Sequence, residues 1–282
     1  MLPAIHIKKT IDFNKGFRSL LEVLKLVAVS EYHSLERKLK SFERLQDLLG
    51  EFFGAVDLNS VRHPFVSPSD KPPAILAVTS DAGLLGGINM QVISKALELA
   101  REGGGKLIVM GERGLIYAQD MGLPFDHYPG IIDTRRFEQA AQMRDTLSKL
   151  VMSGEAGGIK VVFPKALSFV VHRVEVTTLV PFTNNAAVPD AAADPRNRMI
   201  MESTPEAVVE YLVYLIIGQR LFEIFGMSRV CEQAARFVHL EESCNKISDM
   251  NKKLLLQYFR RRHEIIDANM RELFSARNIY AK

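Results

Sequence analysis

A glycine-rich turn that follows an apolar segment is the first candidate for a ligand site. Strand-to-helix turns bind phosphate groups, because glycine lets the backbone approach a ligand and the start of a helix attracts anions. Here the glycines fit neither the G-x-G-x-x-G pattern nor the P-loop, which requires a lysine after its last glycine. We therefore interpret the turn as structural. Its polar and glycine residues are Thr79, Ser80, Asp81, Gly83, Gly86, Gly87 and Asn89.

A basic cluster near the C-terminus is the second candidate. It comprises Lys252, Lys253 and residues 260–263. Three consecutive arginines cover about 200° of the circumference of a helix, so at least one of them faces any partner that surrounds it. Asp249 and Glu264 leave open the alternative of a solvated face with local charge pairs. We favour an electrostatic contact with an acidic partner.

The other reactive side chains do not show the spacing of a catalytic or metal site. The seven histidines lack the HxxxH and HExxH patterns, and the sequence has no G-x-S-x-G nucleophile motif. Cys231 and Cys244 lie about 20 Å apart along one predicted helix, which is too far for a disulfide within the chain. The sequence therefore predicts no catalytic residue, no metal ion and no cofactor.

Long helices are predicted at both ends of the chain. No glycine or proline follows Gly226, and these 56 residues would form a helix about 84 Å long. The apolar positions of both ends recur every three, four or seven residues, which is typical of a coiled-coil seam. Neither helix can bury its own stripe, so we predict that the two ends pair as an antiparallel coiled coil. The N-terminal stripe is Phe13, Phe17, Leu20, Leu24, Val27, Tyr32, Leu35, Leu39, Phe42, Leu49 and Phe53, and the C-terminal stripe is Val230, Ala234, Phe237, Cys244, Ile247, Leu254, Tyr258 and Ile265.

The middle of the chain is predicted to be a small α/β domain. Short apolar, partly β-branched segments alternate with helical periodicity, which indicates a Rossmann-like open sheet. The last two strands are predicted to pair as a hairpin. Strands are expected at 74–80, 106–111, 159–163 and 171–180, with helices at 88–101, 113–121 and 137–152.

The predicted fold class is therefore α/β with long helices. The domains are an N-terminal coiled-coil helix over 1–62, a central α/β domain over 72–200 and a C-terminal coiled-coil helix over 204–282 that pairs with the first. Asn, Ala, Asp and Pro predict a loop over 184–198, and Thr204-Pro205-Glu206 has the signature of a helix start.

The composition excludes several classes of protein. The 282 residues are 47% hydrophobic and 24% charged, which excludes a disordered chain. The net charge of +3 does not indicate a nucleic-acid partner. The most apolar run, residues 211–217, is far shorter than the roughly 20 residues of a membrane-spanning helix, and we see no signal peptide. We expect a soluble cytoplasmic protein.

Several segments, taken together, resemble the gamma subunit of F-type ATP synthases, the rotating central stalk. Residues 79–89 resemble the family's T-S-D-[RK]-G-L-C-G-G-x-N, and residues 231–238 its S-E-Q-A-A-R-M-V. Residues 258–266 resemble Y-N-R-A-R-Q-A-A-I, residues 272–275 resemble E-I-[VI]-S, and residues 24–30 resemble M-K-M-V-A-A-S. The segments occur in the family's order and span nearly the whole chain.

The sequence also departs from the family pattern. Ala82 stands in place of a basic residue and Leu85 in place of a cysteine. His263 replaces a glutamine and Asp267 a threonine, while residues 17–23 do not keep the family's T-Q-K-I-T-K-A. These differences indicate a diverged branch, such as an alternative or specialised rotary ATPase.

The resemblance implies a non-catalytic subunit that couples ion-driven rotation of a c-ring to conformational changes at catalytic sites on an alpha/beta hexamer. The implied partners are the alpha and beta subunits, the epsilon (or delta) subunit and the c-ring. Contacts to the hexamer would involve Leu24, Arg236, Arg262, His263 and Asp267. The implied location is the cytoplasmic face of a bacterial inner membrane, with the mitochondrial matrix side as the alternative.

Two other hypotheses stay open at this point. The chain could be a dinucleotide-dependent enzyme whose helical arms mediate oligomerisation, in which case the glycine-rich turn would bind a nucleotide. It could also be a coiled-coil scaffold unrelated to ATPases, in which case it would not co-purify with alpha and beta subunits.

Overall fold

The computed structural model describes residues 4–39, 63–182 and 204–280. The sequence predictions for 40–62 and for the loop at 184–198 therefore lie outside the described residues. The elements confirm the predicted fold class, because a small, mainly parallel sheet is combined with long helices from both ends of the chain. In chain order they are α1 (Ala4–Leu39), β1 (Ala74–Val78), α2 (Ile88–Gly103), β2 (Lys106–Met110), α3 (Glu112–Gln119), β3 (Phe125–Tyr128), a 3₁₀ turn (Asp133–Arg135), α4 (Arg136–Met152), β4 (Ile159–Ala166), β5 (His172–Val180) and α5 (Pro205–Tyr280).

Contacts divide the chain into two units. The first unit is Val29–Arg236, and the second combines Met1–Ala28 with Phe237–Lys282. Each unit contains a part of α1 and a part of α5. None of the helices within the described ranges is long and apolar enough to cross a lipid bilayer.

A five-stranded sheet forms the centre of the first unit, in the order β3-β2-β1-β4-β5. The first four strands are parallel, and β5 pairs with β4 as the antiparallel hairpin that the sequence predicts. The sequence analysis missed β3. This strand has only four residues, two of which are Asp126 and His127, and it lies at an edge of the sheet. Its pattern is too short and too polar to indicate a buried strand.

Helices cover both faces of this sheet, and alternate residues of each strand point to opposite sides. On one face, Leu76 and Ile108 pack with side chains of α4 and of the first turns of α5, such as Val213. On the other face, Ile75 and Val109 pack with α2 and α3. The start of α5 at Pro205 agrees with the predicted signature, since the backbone N–H of Ala207 donates to the Thr204 hydroxyl at 3.4 Å.

In the first unit, α1 and α5 pair through residues of the predicted stripes. Tyr32 and Leu35 of α1 are buried against Val230 and Ala234 of α5. The ring of Tyr32 also meets that of Phe169 edge-on, with 4.8 Å between the centroids. Here the periodicity identified the buried face of both helices correctly.

In the second unit, the prediction for α1 was wrong. Phe13, Phe17, Leu20, Leu24 and Val27 are all exposed, and the rings of Phe13 and Phe17 stack on each other at the surface. We call these five residues the outer stripe. The buried residues of α1 instead repeat on another face of the helix: Ile7, Ile11, Asn14, Leu21 and Ala28.

The α5 residues of the second unit form the coiled-coil seam that the sequence predicts, with one correction. Leu21 of α1 packs with Leu240, Cys244 and Ile247 of α5. Ile265, placed on the stripe by its spacing, is 50% exposed. The buried and half-buried positions recur at three- and four-residue intervals and end at Arg261: Leu240, Cys244, Ile247, Asn251, Leu254, Tyr258 and Arg261.

Candidate functional site

The glycine-rich turn begins at the carboxyl end of β1, where polar side chains fix its backbone. The Thr79 hydroxyl donates to the backbone carbonyl of Met110 at 2.6 Å, which ties the end of β1 to β2. The Asn89 amide of α2 donates to Ser80 Oγ at 2.8 Å. A Cβ on Gly114 would lie 2.3 Å from Thr79 Oγ1, so only glycine fits there. The three polar side chains are buried and hold the turn against its neighbours.

Asp81 connects the turn to two further segments. Its Oδ1 accepts hydrogen bonds from the backbone N–H of Glu112 at 2.9 Å and of Gly130 at 3.0 Å. The first of these bonds satisfies a free donor in the first turn of α3. The Ser80 carbonyl accepts a third bond from the Arg113 backbone N–H at 3.0 Å. The turn thus joins β1, α3 and the segment after β3.

The glycines of the turn serve its backbone path. Gly86 has a φ of 63°, a left-handed conformation that glycine adopts without strain. Gly87 immediately precedes α2. A Cβ on Gly83 would lie 2.9 Å from Arg113 Nη2. These contacts give the family-like motif a structural role, as the sequence analysis expected.

A small cavity lies between the turn and α5. Its volume is about 160 Å³, below the roughly 300–1,000 Å³ of typical ligand pockets. Ser80 and Asn89 line one side, and Arg229 and Glu232 of α5 line the other. These four polar side chains all bond to other protein groups, so the cavity wall has its hydrogen bonds satisfied from within the chain.

Arg229 is the centre of a charge network that the sequence analysis missed. Its guanidinium binds Asp133 Oδ2 at 3.0 Å and also contacts Glu232, whose residue is only 5% exposed. Burial by itself lowers the pKa of Arg229, but hydrogen bonds to Asp133 and the charge of Glu232 outweigh that effect and raise the pKa above its ordinary range. The network attaches α5 to the turn before α4.

Arg236, a predicted contact residue, belongs to the same network. Its guanidinium donates to Glu232 at 2.7 Å and to Gln233 Oε1 at 2.5 Å. The Gln233 amide in turn donates to Glu31 of α1. The C-E-Q-A-A-R segment therefore joins α1, α5 and the sheet domain, and its carboxylate and amide lie almost wholly inside.

The remaining predicted contact residues belong to the second unit, where all of them are exposed. Leu24 is part of the outer stripe, next to Lys25, which binds Glu241 at 2.5 Å. Leu24 therefore lies about 30 Å along the helix axis from Arg262. Arg262, His263 and Asp267 lie together on the last part of α5. The structure thus groups three of the five predicted contacts and separates Leu24 and Arg236 from them.

The last part of α5 is exposed on every side. All residues from 262 to 275 are exposed, including the large apolar side chains of Ile266, Leu273 and Phe274. Within the described ranges, Arg260 and Arg262 form no ion pair, whereas Arg261 binds Glu264 at 2.5 Å and Lys252 binds Asp249 at 3.0 Å. The basic cluster is therefore partly neutralised by local pairs and partly free.

Related proteins cover nearly the whole chain. A family model described as ATP synthase matches residues 4–278. The ATP synthase gamma chain of Chlorobium phaeobacteroides is 25% identical over 277 residues, covering 92% of this chain and 93% of the relative. That of Clostridium acetobutylicum is 26% identical over 278 residues, covering 95% of each.

Solved structures of rotary complexes share the fold. The rotor of the Euglena gracilis mitochondrial ATP synthase matches with a TM-score of 0.69 at 14% identity, over 93% of this chain and 98% of that chain. The central stalk and c-ring structure from Tetrahymena thermophila matches with a TM-score of 0.61 at 18% identity, over 79% and 99%. Since the family model extends from the start of α1 almost to the end of α5, the chain belongs to the ATP synthase family.

Proposed function

We propose that this chain is the central-stalk (gamma) subunit of a rotary ATP synthase. In this role it couples ion-driven rotation of a c-ring to conformational changes at catalytic sites on an alpha/beta hexamer. The membership of the family and the names of the relatives favour this function over a dinucleotide-dependent enzyme and over an unrelated scaffold.

The observation that carries the proposal is the exposed end of α5. A single helix without packing partners is marginally stable in water, because nucleation is unfavourable and only an amphipathic face packed against a partner stabilises it. Residues 262–275 have no such packing within the described chain, and they present apolar side chains as well as arginines. We infer that this end of α5 is covered by other subunits, with Arg262, His263 and Asp267 among the contacts.

The physical basis of coupling is the unequal surface of the helix pair. The outer stripe of α1 is apolar, whereas the end of α5 carries a free basic patch at Arg260 and Arg262. Surrounding subunits therefore meet different chemistry as the pair turns, and their nucleotide affinity changes with the angle. By thermodynamic reciprocity, nucleotide occupancy then biases the angle in turn. In this scheme the subunit transmits force and carries out no chemistry of its own.

The remaining parts of the proposal concern placement. The helices of residues 1–62 and 204–282 would form the coiled coil inside the hexamer, and the α/β domain of 72–200 would contact the epsilon (or delta) subunit and the c-ring. Leu24 and Arg236 would contribute further contacts to the hexamer. The complex would lie at the cytoplasmic face of a bacterial inner membrane.

Co-purification tests the proposed function. An affinity-tagged full-length chain, expressed in its native host, is expected to elute with alpha, beta and epsilon subunits in detergent extracts that retain the c-ring. A matched sample bearing the same tag on an unrelated cytoplasmic protein controls for non-specific capture. Elution of the tagged chain without alpha and beta subunits would refute the proposal.

Charge reversal at Arg262 tests the contact on α5. An exposed charge pair contributes about 0.2–1 kcal/mol and a like-charge contact costs a similar amount, so Arg262→Glu is expected to change ATP turnover about two- to fivefold. The measurement is ATP hydrolysis and ATP-driven ion pumping by the assembled complex.

The matched control is Arg101→Glu, which reverses an exposed charge in the last turn of α2. Its turnover is expected to stay close to that of the unmodified complex. Equal turnover in the Arg262→Glu and Arg101→Glu complexes would remove Arg262 from the set of contacts.

A further inference from the structure

A pair of asparagines lies inside the helix pair of the second unit. Asn14 of α1 is 7% exposed, and its amide nitrogen donates to Asn251 Oδ1 of α5 at 2.9 Å. The two side chains occupy positions of the seam where their helical neighbours are apolar, since Ile11 and Leu21 are the nearest buried residues on α1. A buried amide in such a seam is costly unless it finds a partner.

Two other contacts of the same unit agree with the register that this pair sets. Leu21 packs with Cys244 in one buried cluster, and Lys25 binds Glu241. Asn14 and Leu21 are seven residues apart on α1, and Asn251 and Cys244 are seven residues apart on α5. All three contacts therefore belong to one antiparallel alignment, which brings Ile7 level with Tyr258.

A slip of one heptad would break the amide pair at both ends. In one direction Asn14 would face Tyr258 and Asn251 would face Leu21; in the other, Asn14 would face Cys244 and Asn251 would face Ile7. The apolar positions tolerate such slips, because Leu21, Cys244 and Ile247 would each find another apolar neighbour or a small side chain. The amides do not tolerate them, since each would be buried without a partner.

We propose that Asn14 and Asn251 are positioning residues that fix the register of α1 against α5. The inference rests on the proposed function for its consequence. A one-heptad slip moves the end of α5 by about 10 Å relative to α1, so a fixed register determines where Arg262, His263 and Asp267 stand relative to Leu24. A helix pair that transmits torque requires this relation to be constant.

Disulfide trapping in the purified full-length chain measures the register. All chains carry Cys231→Ala, so that Cys244 is the only native thiol. Leu21→Cys reports the observed register, and Ala28→Cys reports a slip of one heptad, because Ala28 would then lie level with Cys244. With both asparagines present, oxidation is expected to cross-link the first reporter and leave the second at background.

Replacing the pair by Asn14→Leu with Asn251→Leu removes the penalty for slipping. The ratio of slipped to observed cross-links is then expected to rise about tenfold or more, the factor that corresponds to one unpaired buried amide. The control is Asp12→Leu with Lys252→Leu, which adds two leucines at exposed positions and is expected to leave the ratio unchanged. If the leucine pair prevents folding, as judged by circular dichroism, the alanine pair Asn14→Ala with Asn251→Ala takes its place.

Background cross-linking at Ala28→Cys in the variant without the amides would overturn the proposal. So would a double-mutant cycle in which the stability losses of the two single asparagine variants simply add, because paired amides must be coupled. Both measurements use the chain without partner subunits. A negative result therefore refutes the register role alone, whereas the proposed function is refuted only by the co-purification experiment.

Discussion

Cys244→Pro is expected to abolish ATP-driven ion pumping by the assembled complex. Cys244 lies in the interior of α5, and its buried side chain packs with Leu21 and Leu240. Proline at this position removes a backbone donor and clashes with the carbonyl four residues earlier, at a cost of about 3 kcal/mol or more. The kink also ends the seam between α5 and α1 at this point. Pumping is measured in membrane vesicles as acidification, or as sodium uptake, driven by ATP.

The matched control is Cys244→Ala, which keeps a small side chain and a good helix former at the same position. This variant is expected to pump at close to the normal rate, and its helix content by circular dichroism is expected to be unchanged. Normal pumping by a complex that contains the proline variant would show that coupling does not depend on a continuous α5.

Arg229→Met is expected to have the largest effect on the stability of the isolated chain. The substitution leaves Asp133 without its partner and Glu232 with only Arg236. Breaking a buried ion pair by removing one member costs about 3–5 kcal/mol, because the remaining charge stays in a region of low dielectric. The free energy of unfolding, obtained from urea titration followed by circular dichroism, is expected to fall by an amount in this range.

Arg135→Met is the control for this measurement. Arg135 pairs with Glu138 on the surface, where both side chains are more than half exposed. Loss of an exposed pair costs about 0–1 kcal/mol. If the Arg229 variant loses no more stability than the Arg135 variant, the network around Glu232 does not stabilise the fold as we describe.

The sheet domain could be predicted from the sequence because its strands are short, apolar and separated by glycine or by helical periodicity. β1 and β2 are buried on both faces, and such strands stand out as continuous apolar runs. The edge strand at Phe125–Tyr128 could not be found in this way. It forms because β2 offers a free edge beside it, which is a property of the folded sheet.

The existence of the terminal helices could also be predicted, but the buried face of α1 in the second unit could not. This helix carries two apolar stripes, one with Phe13 and Phe17 and another with Ile7 and Ile11. Periodicity shows that both exist, and it favoured the stripe with the larger side chains. The narrow seam of α5 accepts the stripe with the amide at Asn14, for which Asn251 provides the partner.

The charge network of α5 lay beyond sequence reasoning for a different reason. Arg229 and Glu232 are neighbours on one helix, so their pairing could be expected from spacing. Asp133 is remote in sequence and approaches Arg229 only when the turn before α4 packs beside α5. The same limit applied to Arg236, whose bonds to Glu232 and Gln233 identify a structural role that the family motif alone does not reveal.

The outer stripe has a consequence for the cell that makes this chain. A newly synthesised copy can bury one apolar face of α1 against its own α5, but it keeps Phe13, Phe17 and Leu20 in water. Exposed apolar patches promote aggregation. Production of the chain must therefore be matched to the supply of whatever covers this stripe, because any surplus would be lost to chaperones, proteases or precipitation.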